Sequence, residues 1–192
     1  MHTNFDFLTK DPQFEPFAEA AVSAERVLPI SPVLCATACR TALEFAVKWV
    51  YSVDGSLIKP YEDKLVTLIS TEDFKDLIPP GMIAKLDYLR RIGNNATHNP
   101  KGVTRDQAVL ALENLHSFLD FVAYCYGADY TEVPFDNSLL DVLIHSVEPI
   151  APPVAEEVDF QTLLDENFPK REKLTAKRTA QLKAAILSSP WI

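Results

Sequence analysis

At 192 residues, 47% apolar and 23% charged, the chain has the make-up of an ordinary globular protein with length for one good core. Its net charge of −9 sits wholly in residues 1–150, because residues 151–192 carry six basic and six acidic side chains; so acidic a body repels phosphate backbones, which argues against non-specific DNA binding by it alone. No run approaches the ~20 apolar residues of a membrane span, and no basic segment followed by an apolar block opens the chain, so the expected compartment is the cytoplasm, with no membrane partner.

Residues 1–10 read as a short apolar arm anchored by Phe5, Phe7 and Leu8. Asp11-Pro12 starts a helix, since proline suits the first helical position. Phe14, Phe17, Ala18, Ala21 and Val22 carry its apolar spacing to about Leu28, and Pro29 ends it. Ser31-Pro32 opens a long helix in the same manner. Leu34, Ala38, Ala42, Phe45 and Trp49 predict its buried stripe, and Asp54-Gly55 stops it. On that helix Arg40 and Glu44 stand four apart, the spacing of a surface ion pair. Residues 60–78 predict two short helices. Tyr61, Leu65, Leu68 and Ile69 face inward on the first, Phe74, Leu77 and Ile78 on the second.

After the break at Pro79-Pro80-Gly81, a helix is predicted over 82–97. At about 100° per residue, Met82, Leu86, Leu89, Gly93 and Ala96 fall within roughly 40° of one direction and form a core stripe. Arg91, Asn94, Asn95 and His98 fall on the opposite face, which gathers a guanidinium, two carboxamides and an imidazole. Asn99-Pro100 ends this helix, because a residue before proline is pushed out of the α region. Thr104-Arg-Asp-Gln107 is a capping box and starts the clearest helix. Ala108, Leu112, Leu115, Leu119, Val122 and Tyr126 form its stripe, His116 is a packed neighbour, and Gly127 caps the end. Asp136 caps a short helix running to about His145. No segment alternates as a strand does, so the fold class is all-α, and the short loops favour an antiparallel helical bundle over residues 1–146.

Cys35, Cys39 and Cys125 read as three small core residues in a reducing compartment, and His2, His98, His116 and His145 show no pairing with them that would hold a metal. Three prolines within Val147–Val154 make residues 147–158 a stiff linker. Residues 159–192 read as a basic helical tail. Within it Lys170, Arg171, Lys173, Lys177, Arg178 and Lys183 are candidate nucleic-acid contacts, weighed against a plain solvated helix. The end at Ser189-Pro-Trp-Ile192 is expected to precede a further domain.

There is no Gly-x(4)-Gly-Lys-Ser/Thr phosphate loop, no Gly-x-Gly-x-x-Gly, no His-Glu-x-x-His, no Gly-x-Ser-x-Gly and no acid/Glu-x-Lys nuclease constellation. The string Leu89-Arg-Arg-Ile-Gly-Asn-Asn-Ala-Thr-His98 resembles the Arg…His signature of the HEPN superfamily of small helical domains. With Asn4-Phe-Asp-Phe-Leu8 and Arg40-Thr-Ala-Leu-Glu44 it is similar to the HEPN-like domain at the N-terminus of the restriction (R) subunit of type I restriction enzymes. The resemblance implies an accessory or interaction domain without nuclease or ATPase chemistry of its own. Its partners would be the other domains of the R subunit, the modification and specificity subunits, and DNA through the parent complex. It implies ATP and Mg for the parent, a DNA-restricting endonuclease, and no cofactor for this segment. It also implies that Glu44 reaches the Arg91/His98 face and orients it. The alternative it carries is a metal-independent ribonuclease, in which Arg91 and His98 act across a homodimer interface with Asn94 and Asn95 in support. Interaction is the expected role of this face, and no residue is assigned to catalysis.

Overall fold

The computed structural model describes residues 2–98 and 102–140; the side chain of His98 falls outside that description. Among these residues the fold is all-α, with no strand. The α-helices are α1 (Glu15–Arg26), α2 (Pro32–Val53), α3 (Leu65–Leu68), α4 (Glu72–Leu77), α5 (Met82–His98) and α6 (Arg105–Tyr126).

The N-terminal arm is a 3₁₀ turn over Asp6–Lys10, with Phe5 and Leu8 fully buried. Asp11 caps as expected, its carboxylate accepting from the Gln13 N–H, but what it caps is a second 3₁₀ turn, Pro12–Phe14. α1 begins only at Glu15. Pro16 has no N–H to donate and is tolerated only in a first turn, which fixes the start there. Ser31 caps α2 by accepting from the Leu34 N–H at 3.3 Å, and Thr71 caps α4 likewise. The capping box of α6 is formed in both directions, Gln107 N–H to Thr104 Oγ1 and Thr104 N–H to Gln107 Oε1. Gly127 closes α6 by donating to the Ala123 carbonyl at 2.8 Å, in extended rather than left-handed backbone.

α2 lies at the centre, packed against α1, α5 and α6. Phe14 and Phe17, at the head of α1, meet Trp49 near the tail of α2 at ring distances of 5.4 and 5.5 Å, so the two helices run antiparallel. Tyr88 on α5 bonds to the Gln107 carbonyl and Lys85 to Ser117, so α5 and α6 also run antiparallel. The stripes expected on α1, α5 and α6 are buried: Phe17, Ala21 and Val22; Leu86, Leu89 and Ala96; Leu112, Leu115 and Leu119.

α2 corrects the expected stripe. Cys35, Ala36, Cys39, Ala42, Leu43, Ala46, Val47 and Val50 are buried, whereas Leu34 is 55% and Phe45 46% exposed, with Ala38 and Trp49 half-buried. The helix is apolar on nearly every side, so spacing alone does not choose a face. Three close neighbours select the side bearing Ala and Cys, because small side chains let helix axes approach. Two further expectations are corrected. Tyr61 faces solvent, lying before α3 rather than on it, and Cys125 is exposed on the last turn of α6. The linker over 147–158, the tail over 159–192 and the far end of the helix expected to reach His145 lie outside the described residues. Among the described residues no helix is long and apolar enough to cross a membrane.

Candidate functional site

The two faces read from the α5 sequence separate in space. Met82, Leu86, Leu89, Gly93 and Ala96 point into the core, joined by Ile92. Arg91 and Asn95 face solvent and Asn94 is half-buried; His98 is the last residue of α5. The Arg91 side chain is 73% exposed and its Nε lies 2.7 Å from Asp87 Oδ2. The other oxygen of the same carboxylate accepts from Arg90, at 3.0 Å from Nε and 2.7 Å from Nη2. One carboxylate thus serves two guanidiniums, which leaves a local excess of positive charge on an acidic domain. Such half-exposed pairs, one and the same turn apart, contribute about 0.3–0.5 kcal/mol each. Asn95 donates from Nδ2 to the Gly102 carbonyl at 3.3 Å, tying the end of α5 to the approach to α6.

Glu44 does not pair with Arg91. Its carboxylate takes a hydrogen bond from Lys48 at 2.9 Å and lies 3.6 Å from Arg40 Nη2, too far for a hydrogen bond. Lys48 continues the chain of charges to Asp63 at 3.7 Å, and Lys59 reaches Asp63 at 3.5 Å. The surface ion pair expected at Arg40/Glu44 is therefore present in weak form, while the orienting contact implied by the resemblance is not among the contacts Glu44 makes.

Gly93 explains how α5 meets α2. A Cβ built on it would stand 2.4 Å from Arg40 Cβ, 2.8 Å from Cδ and 3.0 Å from Cγ. The arginine stem lies across the backbone of α5 in the space a side chain would occupy. Arg40 Nε is buried there with no hydrogen-bond partner among the described residues, although the side chain as a whole is 32% exposed. An unsatisfied buried donor costs on the order of 1–3 kcal/mol, so the packing of the stem must exceed that. Thr97 donates to the Gly93 carbonyl at 3.0 Å and covers the next turn.

Two polar constellations escaped the sequence. The backbone N–H of Asn4 donates to both oxygens of the buried Glu25, at 3.2 and 3.0 Å. Burial pushes that carboxyl above its ordinary range, and the Asn4 bonds pull it partly back. The Asn4 side chain then grips residue 136 on both sides, donating to its carbonyl at 3.2 Å and accepting from its N–H at 2.6 Å. An acid in the last turn of an apolar helix was the available sign, but its partner lies 21 residues away. Tyr126, half-buried against Trp49, donates to Asp54 Oδ2 at 2.6 Å; burial and then this bond push its phenol upward.

Among the described residues no group of three or more His, Cys, Asp or Glu is placed to hold a metal ion. The candidate contacts Lys170, Arg171, Lys173, Lys177, Arg178 and Lys183 lie outside the described residues. What the α5 face can do with the groups in view is bind: Arg91 offers a planar donor fork, Asn94 and Asn95 offer amides, and Asp87 sets the charge balance.

No curated protein and no solved structure matches the chain. A domain of unknown function, DUF4145, matches residues 22–140, which span α2 to α6 whole and the last turn of α1. Covering well over half of the sequence, that match makes this chain a member of the DUF4145 family.

Proposed function

We propose that the protein is an interaction module: a HEPN-like antiparallel bundle that serves as the N-terminal accessory domain of a type I restriction R subunit in the cytoplasm. The observation that carries the reading is the two-sided α5. Its core stripe is buried, while Arg91 and Asn95 stand in solvent with no structural duty beyond Asp87 and the Gly102 carbonyl. An exposed arginine with flanking amides is a recognition surface for a partner's carboxylates and carbonyls. The acidic body favours a protein as that partner over a phosphate backbone. The order of elements agrees with the resemblance, with Arg40 and Glu44 on the long α2 and the Arg-Arg-Ile-Gly-Asn string on the α5 that packs against it.

The test is assembly with the other R-subunit domains and with modification and specificity subunits. Arg91→Ala leaves the helicity and melting of the chain unchanged, since the side chain is exposed. It weakens assembly by about 1.5–3 kcal/mol, roughly ten- to a hundredfold, as charge-assisted hydrogen bonds are lost. Assembly that ignores Arg91→Ala would refute this use of the face. Cleavage of single-stranded RNA in EDTA, abolished by His98→Ala in a protein that still folds, would replace the reading with the ribonuclease.

A further inference from the structure

Between the N-terminal arm and α1 runs a groove of about 500 Å³. Its floor is apolar: Leu8 from the arm and Ala18 and Val22 from α1 are buried there, and Pro12 lines the arm side. Its α1 rim is charged. Glu15, Glu19 and Arg26 line the groove and stand in solvent, within about 40° of one direction on the helix. Glu15 and Glu19 are four residues apart, a spacing at which like charges repel. Neither makes a hydrogen bond or an ion pair among the described residues. Other exposed acids, Glu62, Asp63 and Glu72, each have a lysine beside them.

We propose that this groove docks an extended basic segment of a partner protein, one with basic side chains at alternate positions and a carboxylate three residues after the second. The proposal is independent of the use made of α5. Along the helix Glu15 and Glu19 are about 6 Å apart, and alternate side chains of an extended chain are about 6.6 Å apart. Arg26 lies about 10 Å beyond Glu19, the reach of three extended residues, so the sign of the partner's charge reverses there.

The floor explains why the cations are side chains of a peptide. Lysine and arginine lay their alkyl stems along apolar surface while the charged ends stay in water, here beside the two glutamates. A small free cation would meet the carboxylates but make no use of the floor or of Arg26. A phosphate backbone is repelled by the same carboxylates and by the net charge of −9, which draws a basic partner in.

Fluorescence anisotropy of the full chain at low salt, with the labelled peptide Lys-Leu-Lys-Leu-Gly-Asp, tests it. The expected result is saturable binding that weakens about tenfold when Glu15→Gln and Glu19→Gln are combined, at unchanged helicity. Asp73→Asn with Asp76→Asn, which removes two exposed acids from α4, is expected to leave binding unchanged. A peptide that ends in Lys instead of Asp is expected to bind more weakly, and Arg26→Glu to restore it. Absence of saturable binding overturns the proposal. So does an equal loss in the α4 variant, which would reduce the effect to net charge, or a lysine-ended peptide that Arg26→Glu does not restore. Spermine bound as tightly as the peptide would make this a polyamine site and overturn it as well.

Discussion

Gly93 is the residue on which the α2/α5 contact turns. Replacing it with alanine gains about 1 kcal/mol of helix propensity in isolation. Here the new methyl would meet the Cβ of Arg40 at 2.4 Å, a backbone-anchored atom that cannot swing aside. Gly93→Ala is therefore expected to destabilise the protein, by about 1–3 kcal/mol in urea unfolding, because overpacking forces the helices apart. Arg40→Ala should not rescue it, since the nearest clash is with the Cβ that alanine keeps. Rescue by Arg40→Ala would place the clash in the distal stem instead. The string Arg-Ile-Gly-Asn shows a glycine in a helix, but nothing in it names Arg40, on another helix, as the residue that needs the space. The Asp87 pairs with Arg90 and Arg91, by contrast, stand at spacings of three and four and were open to reading from sequence.

Helix by helix, legibility followed how many sides each one buries. α6 is legible almost whole, because Thr104 and Gln107 mark its start and a single stripe, Leu112 to Val122, its inner face. α5 was equally clear, having one polar side. α2 is legible in length but not in orientation: a helix enclosed on three sides is apolar around most of its circumference, and large side chains such as Leu34 and Phe45 stand on its exposed side. Stability measurements separate these cases. Leu112→Ala and Leu43→Ala, both fully buried, should each cost about 2–5 kcal/mol, while Leu34→Ala, measured at low micromolar protein, should stay within about 0.5 kcal/mol. Equal costs at Leu34 and Leu43 would show the face of α2 to be wrongly oriented.

At the scale of the whole molecule, His116 marks where the arm, α6 and the segment before residue 136 come together. Its imidazole is buried among the rings of Phe5, Phe7 and Phe135, at 5.8, 5.4 and 5.5 Å, with Nε2 unpartnered among the described residues. Burial holds its pKa below the ordinary 6.5, with Asp120 drawing it partly back. The folded state thus prefers the neutral ring. The stability this confers is complete above about 6.5 and is lost as pH falls through the lower folded-state value. His116→Phe should flatten that acid-side loss: its urea midpoint should change less than the parent's between pH 7 and pH 5.5. Glu25 acts in the opposite sense, since its raised carboxyl favours the protonated folded form, but the comparison at one substituted residue leaves that contribution common to both proteins.

The grip of Asn4 on residue 136 has a consequence in time. The two partners are separated by 132 residues, almost the whole of the described bundle. At a ribosome adding about 5–20 residues per second, on the order of ten seconds pass between the making of one and the making of the other. Through most of that interval Phe5 and Phe7 have no His116 to rest on, and Asn4 holds at most the Glu25 end of its eventual contacts. The arm, made before the rest of the bundle, is thus among the last parts to be seated, and it works as a clasp that shuts on a bundle already built.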